Sequence, residues 1–284
     1  LWVLAGFRLG AADVEISPRP QFLWISSGVD TNAGDQYVAF RGTFHLDRDS
    51  EVEFRLLGAA WFGAWLDGDF FAQGPARFPV AFPQYQTFVK TLKAGRHVLA
   101  VQVHHVGVPT RMMEHQLPFL YATARRGGEE IPLRWKCCGI GGYTPKLRRI
   151  NPQLGWAEWC DTRLVPDWQA PAYEDQPWSS PVTVERRLGA LQPLSTANPQ
   201  SIRQELKPMA SGRLVEKFGY EMDNPTARFF LRDLEAKEHP PQGAWRRYDL
   251  GRVRLMQPRF LLDLPAGAVV DRKSTRLNSS HGYI

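Results

Sequence analysis

The 284 residues are 43% hydrophobic and 12% aromatic, a composition that fills one large or two ordinary cores and leaves no room for a disordered chain. No run of about 18 apolar residues occurs, so no membrane-spanning helix is expected, and the formal net charge of +6 is spread without the concentrated basic stripe that nucleic acid requires. The three cysteines, Cys137, Cys138 and Cys160, are odd in number and two are vicinal, which argues against a disulfide scaffold and for small buried hydrophobes; a Cys138–Cys160 bridge stays open for an exported protein.

The chain opens on Leu1 rather than Met, and LWVLAGFRLGAA is too short and too interrupted for a signal peptide. The true start is expected upstream, residues 1–19 read as an N-terminal fragment, and a cytoplasmic or an exported location both stay open. A first strand is predicted at Phe22–Ile25. Val38, Phe40, Phe44 and Leu46 then share one face of a strand over Tyr37–Leu46, and Val52, Phe54 and Leu56 repeat the alternation. In WFGAWLDGDFFAQGPAR, Ala60, Phe62, Ala64 and Leu66 alternate with Trp61, Gly63, Trp65 and Asp67. Asp67-Gly68 supplies the two positive-φ positions of a tight hairpin turn, and Gly74-Pro75 ends the return strand and presents Arg77 on a loop. Further strands are predicted at Thr87–Leu92 and Val98–His105 around Lys93-Ala94-Gly95, and a hairpin at Phe119–Ala124 and Ile131–Trp135 around Gly127-Gly128. Short strands at even spacing, without long helical periodicity, predict a β-sandwich or jelly roll.

The segment WLDGDFFAQGPAR resembles a hairpin in the N-terminal β-sandwich domains of bacterial α-L-rhamnosidases and their relatives, which are multidomain glycoside hydrolases. RINPQLGWAE, running from Arg149 to Glu158, resembles a second segment of the same family, and Asp161-Thr162-Arg163, Trp168, Tyr173-Glu174-Asp175 and Trp178 resemble the ending that follows it. The resemblance covers most of residues 24–270 and implies a galactose-binding-like sandwich over 20–185. There Asp175 and Pro177-Trp178 are expected to turn a large aromatic back over the sandwich and close its core.

From 186 to 212 the composition shifts to Pro, Gln, Ser and Leu, which predicts an extended linker with one helical turn near Ser201–Leu206. Strands resume at Leu214–Phe218, Phe229–Leu234, Trp245–Leu250 and Phe260–Leu264. Tyr248 to Arg252 and Leu264 to Ala268 resemble the opening of the family's second β-domain, so 213–270 reads as an incomplete second β-sandwich. The last stretch, DRKSTRLNSSH from Asp271 to His281, matches the translation of a common short-read sequencing adapter, and 271–284 is therefore expected to be an artefactual tail. Without it, Lys+Arg falls from 35 to 32 and Asp+Glu from 29 to 28, and the net charge from +6 to +4.

A glycosidase needs two carboxylates flanking the scissile bond. In the family that the chain resembles they lie in a helical barrel further along, so a missing C-terminal catalytic domain is implied, no catalytic residue is assigned here and no cofactor is expected. Glu158 and Asp161, three apart in an expected strand, point to opposite faces. Sugars stack their C–H faces on aromatics and exchange hydrogen bonds with Arg, Asp and Asn, which makes Trp61, Trp65, Asp67 and Arg77 the candidate carbohydrate-binding group, with rhamnose-containing glycans as the implied partner. Against it stands the simpler reading that these tryptophans fill core. His104-His105 with Glu114-His115 lacks a third ligand at a recognisable spacing, so no metal is assigned. The loop Gly139-Ile140-Gly141-Gly142 lacks the Lys of a phosphate cradle and reads as a turn.

Two functional classes remain: an accessory portion of an α-L-rhamnosidase-like glycoside hydrolase, or a stand-alone carbohydrate-binding or adhesion module. A purely structural sandwich is a weaker third.

Overall fold

The computed structural model describes residues 20–26, 34–111, 113–147, 149, 153–196, 204–216, 220–222, 244–251, 260, 262–268 and 270. The N-terminal fragment 1–19 and the expected adapter tail lie outside the described residues. The chain forms two compact units, 1–198 and 199–284.

The first unit is an all-β sandwich. Its strands are β1 (Phe22–Trp24), β2 (Gln36–Leu46), β3 (Ser50–Ala59), β4 (Trp61–Leu66), β5 (Asp69–Gly74), β6 (Gln84–Leu92), β7 (Gly95–His105), β8 (Phe119–Arg126), β9 (Glu129–Ile131), β10 (Arg134–Gly139), β11 (Val182–Val184) and β12 (Gln192–Pro193). One sheet has the order β11-β1-β8-β3-β6-β12, with β9 added beside β8; the other runs β10-β2-β7-β4-β5. Pairing is antiparallel except that β12 runs parallel to β6.

The period-2 alternation decides which side chains meet between the layers. Val38, Phe40, Phe44 and Leu46 of β2, Phe62, Ala64 and Leu66 of β4, and Leu99, Val101 and Val103 of β7 face Val52, Phe54 and Leu56 of β3 and Leu120, Ala122 and Ala124 of β8. Each fully buried Leu, Val or Phe contributes about 1.5–3 kcal/mol. The β4–β5 hairpin turns at Asp67 (φ 51°) and Gly68 (φ 90°). Consecutive phenylalanines face opposite ways by strand alternation, and a register shift beside Ala64 and Trp65 leaves Phe71 without a partner on β4. Phe70 meets Trp65 edge-on at 5.4 Å outside, while Phe71 packs against Phe54 and Phe88 inside.

The return strand expected at Ile131–Trp135 is divided. Glu129–Ile131 pairs with β8, whereas Arg134–Gly139 crosses to the other sheet and pairs with β2. Pro132, which has no N–H to offer a ladder, stands at the break. The first part of the stretch expected as a linker is laid along β6. Leu188 and Leu191 pack on the core, and the Gln192 and Leu194 amides donate to the Pro83 and Tyr85 carbonyls at 3.0 and 2.8 Å.

His105 faces inward, edge-on to Trp24 at 6.4 Å. Burial, and then the charges of His115, His104 and Arg186, lower its pKa from 6.5 to about 4. The unfolded chain takes up this proton near pH 6.5 and the folded one only near 4, so this stability is fully present above 6.5 and is lost as pH falls towards 4. The chain is expected to be about 2 kcal/mol less stable at pH 5 than at pH 7.5 on this account. Urea titrations at both values test this, and His105→Phe should remove that share of the difference; an unchanged difference refutes it.

In the second unit, β13 (Ala210–Glu216) lies between β14 (Tyr220–Met222) and β15 (Ala244–Arg247). The strand expected at Phe229–Leu234 lies outside the described residues, and residues 260 and 262–264 form no strand. Residues 204–208 carry no regular structure; the rest of the helical turn expected there falls on undescribed positions.

Candidate functional site

The site lies on the outer face of the five-stranded sheet. Register places Tyr37, His104 and Trp61 side by side across β2, β7 and β4, then Ala39, Gln102 and Gly63, then Arg41, Ala100 and Trp65. The small residues Ala39, Gly63 and Ala100 lower the floor between rows of larger ones. A Cβ on Gly63 would meet the ring edge of Trp61 at 2.9 Å and that of Trp65 at 3.2 Å, so both indoles lean over this one position.

The chain between β10 and β11 forms a strap over this face. It has little regular structure beyond a 3-10 turn at Thr162–Leu164 capped by Asp161. The buried Arg41 guanidinium holds it down, with Nε bonded to Asp175 at 2.8 Å, Nη1 donating to the carbonyls of Trp168 and Ala170, and Nη2 donating to that of Tyr173 at 3.2 Å. Trp168 is the aromatic that closes this layer, packed on Ala39 and Ala100, and Trp178 only flanks it, so the closing role expected of Trp178 belongs to Trp168. Gly142 (φ 86°) lets the turn that opens the strap pass close to the strap's own later part, where a Cβ would meet the Asp161 carbonyl at 2.6 Å.

Between strap and sheet lies a cleft of about 370 Å³ lined by Tyr37, Trp61, Trp65, Gln102, His104, Tyr143, Glu158 and Gln169. That volume lies within the ~300–1,000 Å³ of small-molecule sites. Tyr143 stacks on Tyr37 at 3.7 Å and 7°, and Tyr37 on His104 at 4.0 Å and 6°. The buried Asp35 anchors this pile, accepting from His104 Nε2 at 2.9 Å and from the Lys146 amide. Tyr37 Oη donates to Glu158 Oε2 at 3.3 Å. Burial, followed by the Glu158 carboxylate, pushes both tyrosine hydroxyls far above the usual phenol range, so they remain neutral donors.

Of the four predicted residues, Trp61 and Trp65 enter the cleft, and Asp67 and Arg77 do not. The Asp67 carboxylate is engaged in the fold, accepting from the Val98 amide at 2.8 Å and meeting His97 Nδ1 at 2.7 Å. Arg77 is exposed on the loop after β5. Glu158 and Asp161 lie in no strand; Asp161 instead caps the 3-10 turn and pairs with Arg163 at 2.6 Å. Tyr37, Gln102 and His104 were legible as outward positions of alternating strands, whereas nothing in the pattern marks Tyr143, Glu158 or Gln169.

His104 and His105 point to opposite faces, and among the described residues no three His, Cys, Asp or Glu side chains converge to hold a metal ion. The three cysteines are free thiols. A second hollow, of about 250 Å³, lies between β3 and β8; the charges in it include an Arg55–Glu53 pair at 2.6 Å, and no aromatic ring lines it.

No protein-family model matches the chain, and no curated protein matches it in sequence. Among solved structures it is similar to a GH78 family rhamnosidase of Bacillus sp. GL1, at 20% identity and a TM-score of 0.58 over 69% of this chain and 23% of that one. An α-L-rhamnosidase from Aspergillus terreus aligns at 14% identity and a TM-score of 0.46, covering 71% of this chain and 24% of that one. The chain thus spans about a quarter of the length of each. With the Bacillus rhamnosidase it shares an all-β sandwich fold.

Proposed function

We propose that this chain is a non-catalytic N-terminal accessory portion of an α-L-rhamnosidase-like glycoside hydrolase, and that its outer-sheet cleft contacts carbohydrate. The observation that carries the reading is the convergence of four aromatic rings with two amides, an imidazole and a carboxylate in one hollow. Indole and phenol faces offer apolar platforms to the C–H face of a pyranose, and Gln102 and Gln169 each offer a donor and an acceptor to vicinal hydroxyls. The parent would hydrolyse terminal α-L-rhamnosides with carboxylates carried elsewhere, and the fold likeness to the Bacillus rhamnosidase supports that parentage.

Isothermal titration of the chain with methyl α-L-rhamnopyranoside is expected to show saturable binding, and its absence would remove the carbohydrate role. Sequencing the source DNA beyond the codon for Val270 tests the parentage. A long helical region carrying paired Asp and Glu supports the hydrolase. An early stop codon leaves the second reading, a stand-alone carbohydrate-binding or adhesion module, which is favoured by the cleft being complete within the first unit.

A further inference from the structure

The cleft lining contains one carboxylate and neither Lys nor Arg. Glu158 is exposed at its rim. The backbone on both sides of it is fixed. Trp156 Nε1 donates to the Val106 carbonyl at 3.0 Å and Arg149 lies over the Trp156 ring at 5.7 Å. The Thr144 amide donates to the Trp159 carbonyl at 2.9 Å and the Asp161 amide to the Gly142 carbonyl at 2.8 Å. Tyr37 Oη then orients the carboxylate itself. His104 is paired with Asp35 and brings no uncompensated positive charge. The chain as a whole carries +6, so its far field draws anions while this hollow presents them with a fixed negative group.

From this arrangement we infer that the cleft selects neutral sugars over uronic acids, with Glu158 as the residue that sets the selection. The inference rests on the carbohydrate reading above and names the ligand class that the site takes. A neutral pyranose, 6-deoxyhexoses included, donates a hydroxyl to Glu158. A sugar carboxylate brought to the same place meets a like charge with no cation in the lining to offset it. Two carboxylates about 5 Å apart repel by about 0.8 kcal/mol in bulk water, about fourfold in affinity, and by more where the cleft walls exclude water. Salt weakens that repulsion.

Three probes share one ring and differ only at C6: methyl α-L-rhamnopyranoside, methyl α-L-mannopyranosiduronic acid, and the methyl ester of that acid. Titrated into the full chain at low salt, the acid is expected to bind at least about fourfold more weakly than its ester. Raising the salt should narrow that ratio, and Glu158→Gln should bring it close to one. Equal binding of acid and ester by the unaltered chain overturns the selection while leaving the carbohydrate reading intact. A ratio that Glu158→Gln leaves unchanged overturns the assignment to Glu158. If none of the three probes binds, the carbohydrate reading falls and this inference falls with it. The salt series on the unaltered chain keeps the selection testable even if the variant fails to fold.

Discussion

Replacing Arg41 with alanine is expected to cost the first unit about 3–5 kcal/mol, the cost of breaking a buried ion pair by removing one partner. The guanidinium is wholly buried on the outer face of β2 and reaches one carboxylate and three carbonyls of the strap. Without it, the carbonyls of Trp168, Ala170 and Tyr173 lose a donor and the Asp175 carboxylate loses its cation. The Tyr173 ring, 5.5 Å from the guanidinium, loses that contact too. The melting temperature should fall by on the order of 10 °C. Because this interaction joins strap to sheet, limited proteolysis should begin between 165 and 178 before the sandwich itself is cut. Arg41→Lys should recover little, since an ammonium cannot reproduce a planar fork that reaches four acceptors. A melting temperature within about 2 °C of the parent would show that the strap is held by apolar packing of Trp168 alone.

Arg41 also shows where reading the sequence stops. In YVAFRGTF the alternation assigns it to the outward face of β2, and an outward arginine is ordinarily solvated. It is buried because residues more than 120 positions later fold over it, and no local pattern announces them. The strands themselves were legible, since alternation such as Phe62, Ala64 and Leu66 against Trp61, Gly63 and Trp65 follows from burying one face of a sheet. The hairpin turn at Asp67-Gly68 was legible for a steric reason, because two successive positive-φ residues favour this pair. The same turn position misled about Asp67, whose carboxylate reaches the Val98 amide and His97 on the neighbouring strand β7 rather than the cleft. The site was half legible on the same grounds. Its floor belongs to strands and follows their period. Its rim belongs to the strap, from which Tyr143, Glu158 and Gln169 come, and the contacts of Tyr143 and Glu158 with the distant Tyr37 leave no periodic trace.

The largest effect on binding is expected from the two tryptophans. Trp61→Ala should weaken methyl α-L-rhamnopyranoside binding by about 30-fold, roughly 2 kcal/mol, the scale on which a buried aromatic anchor acts when truncated. Trp61 is half-buried and no other ring stacks on it among the described residues, so its truncation should leave the fold nearly as stable as before. Trp65→Ala should weaken binding as much and lower stability as well, because the Trp65 ring also meets Phe70 at 5.4 Å and Trp168 at 5.5 Å. Titration calorimetry on both variants, alongside thermal melts, therefore separates two roles that one substitution would confound. The ring edges of both indoles lie over Gly63, so Gly63→Val should disturb the platform while keeping both tryptophans in the chain. If all three variants bind as the parent does, the rings are packing for the strap and sugar does not rest on them. If Trp61→Ala alone loses binding while keeping its melting temperature, the face that β4 turns away from the core is the platform on which the sugar sits.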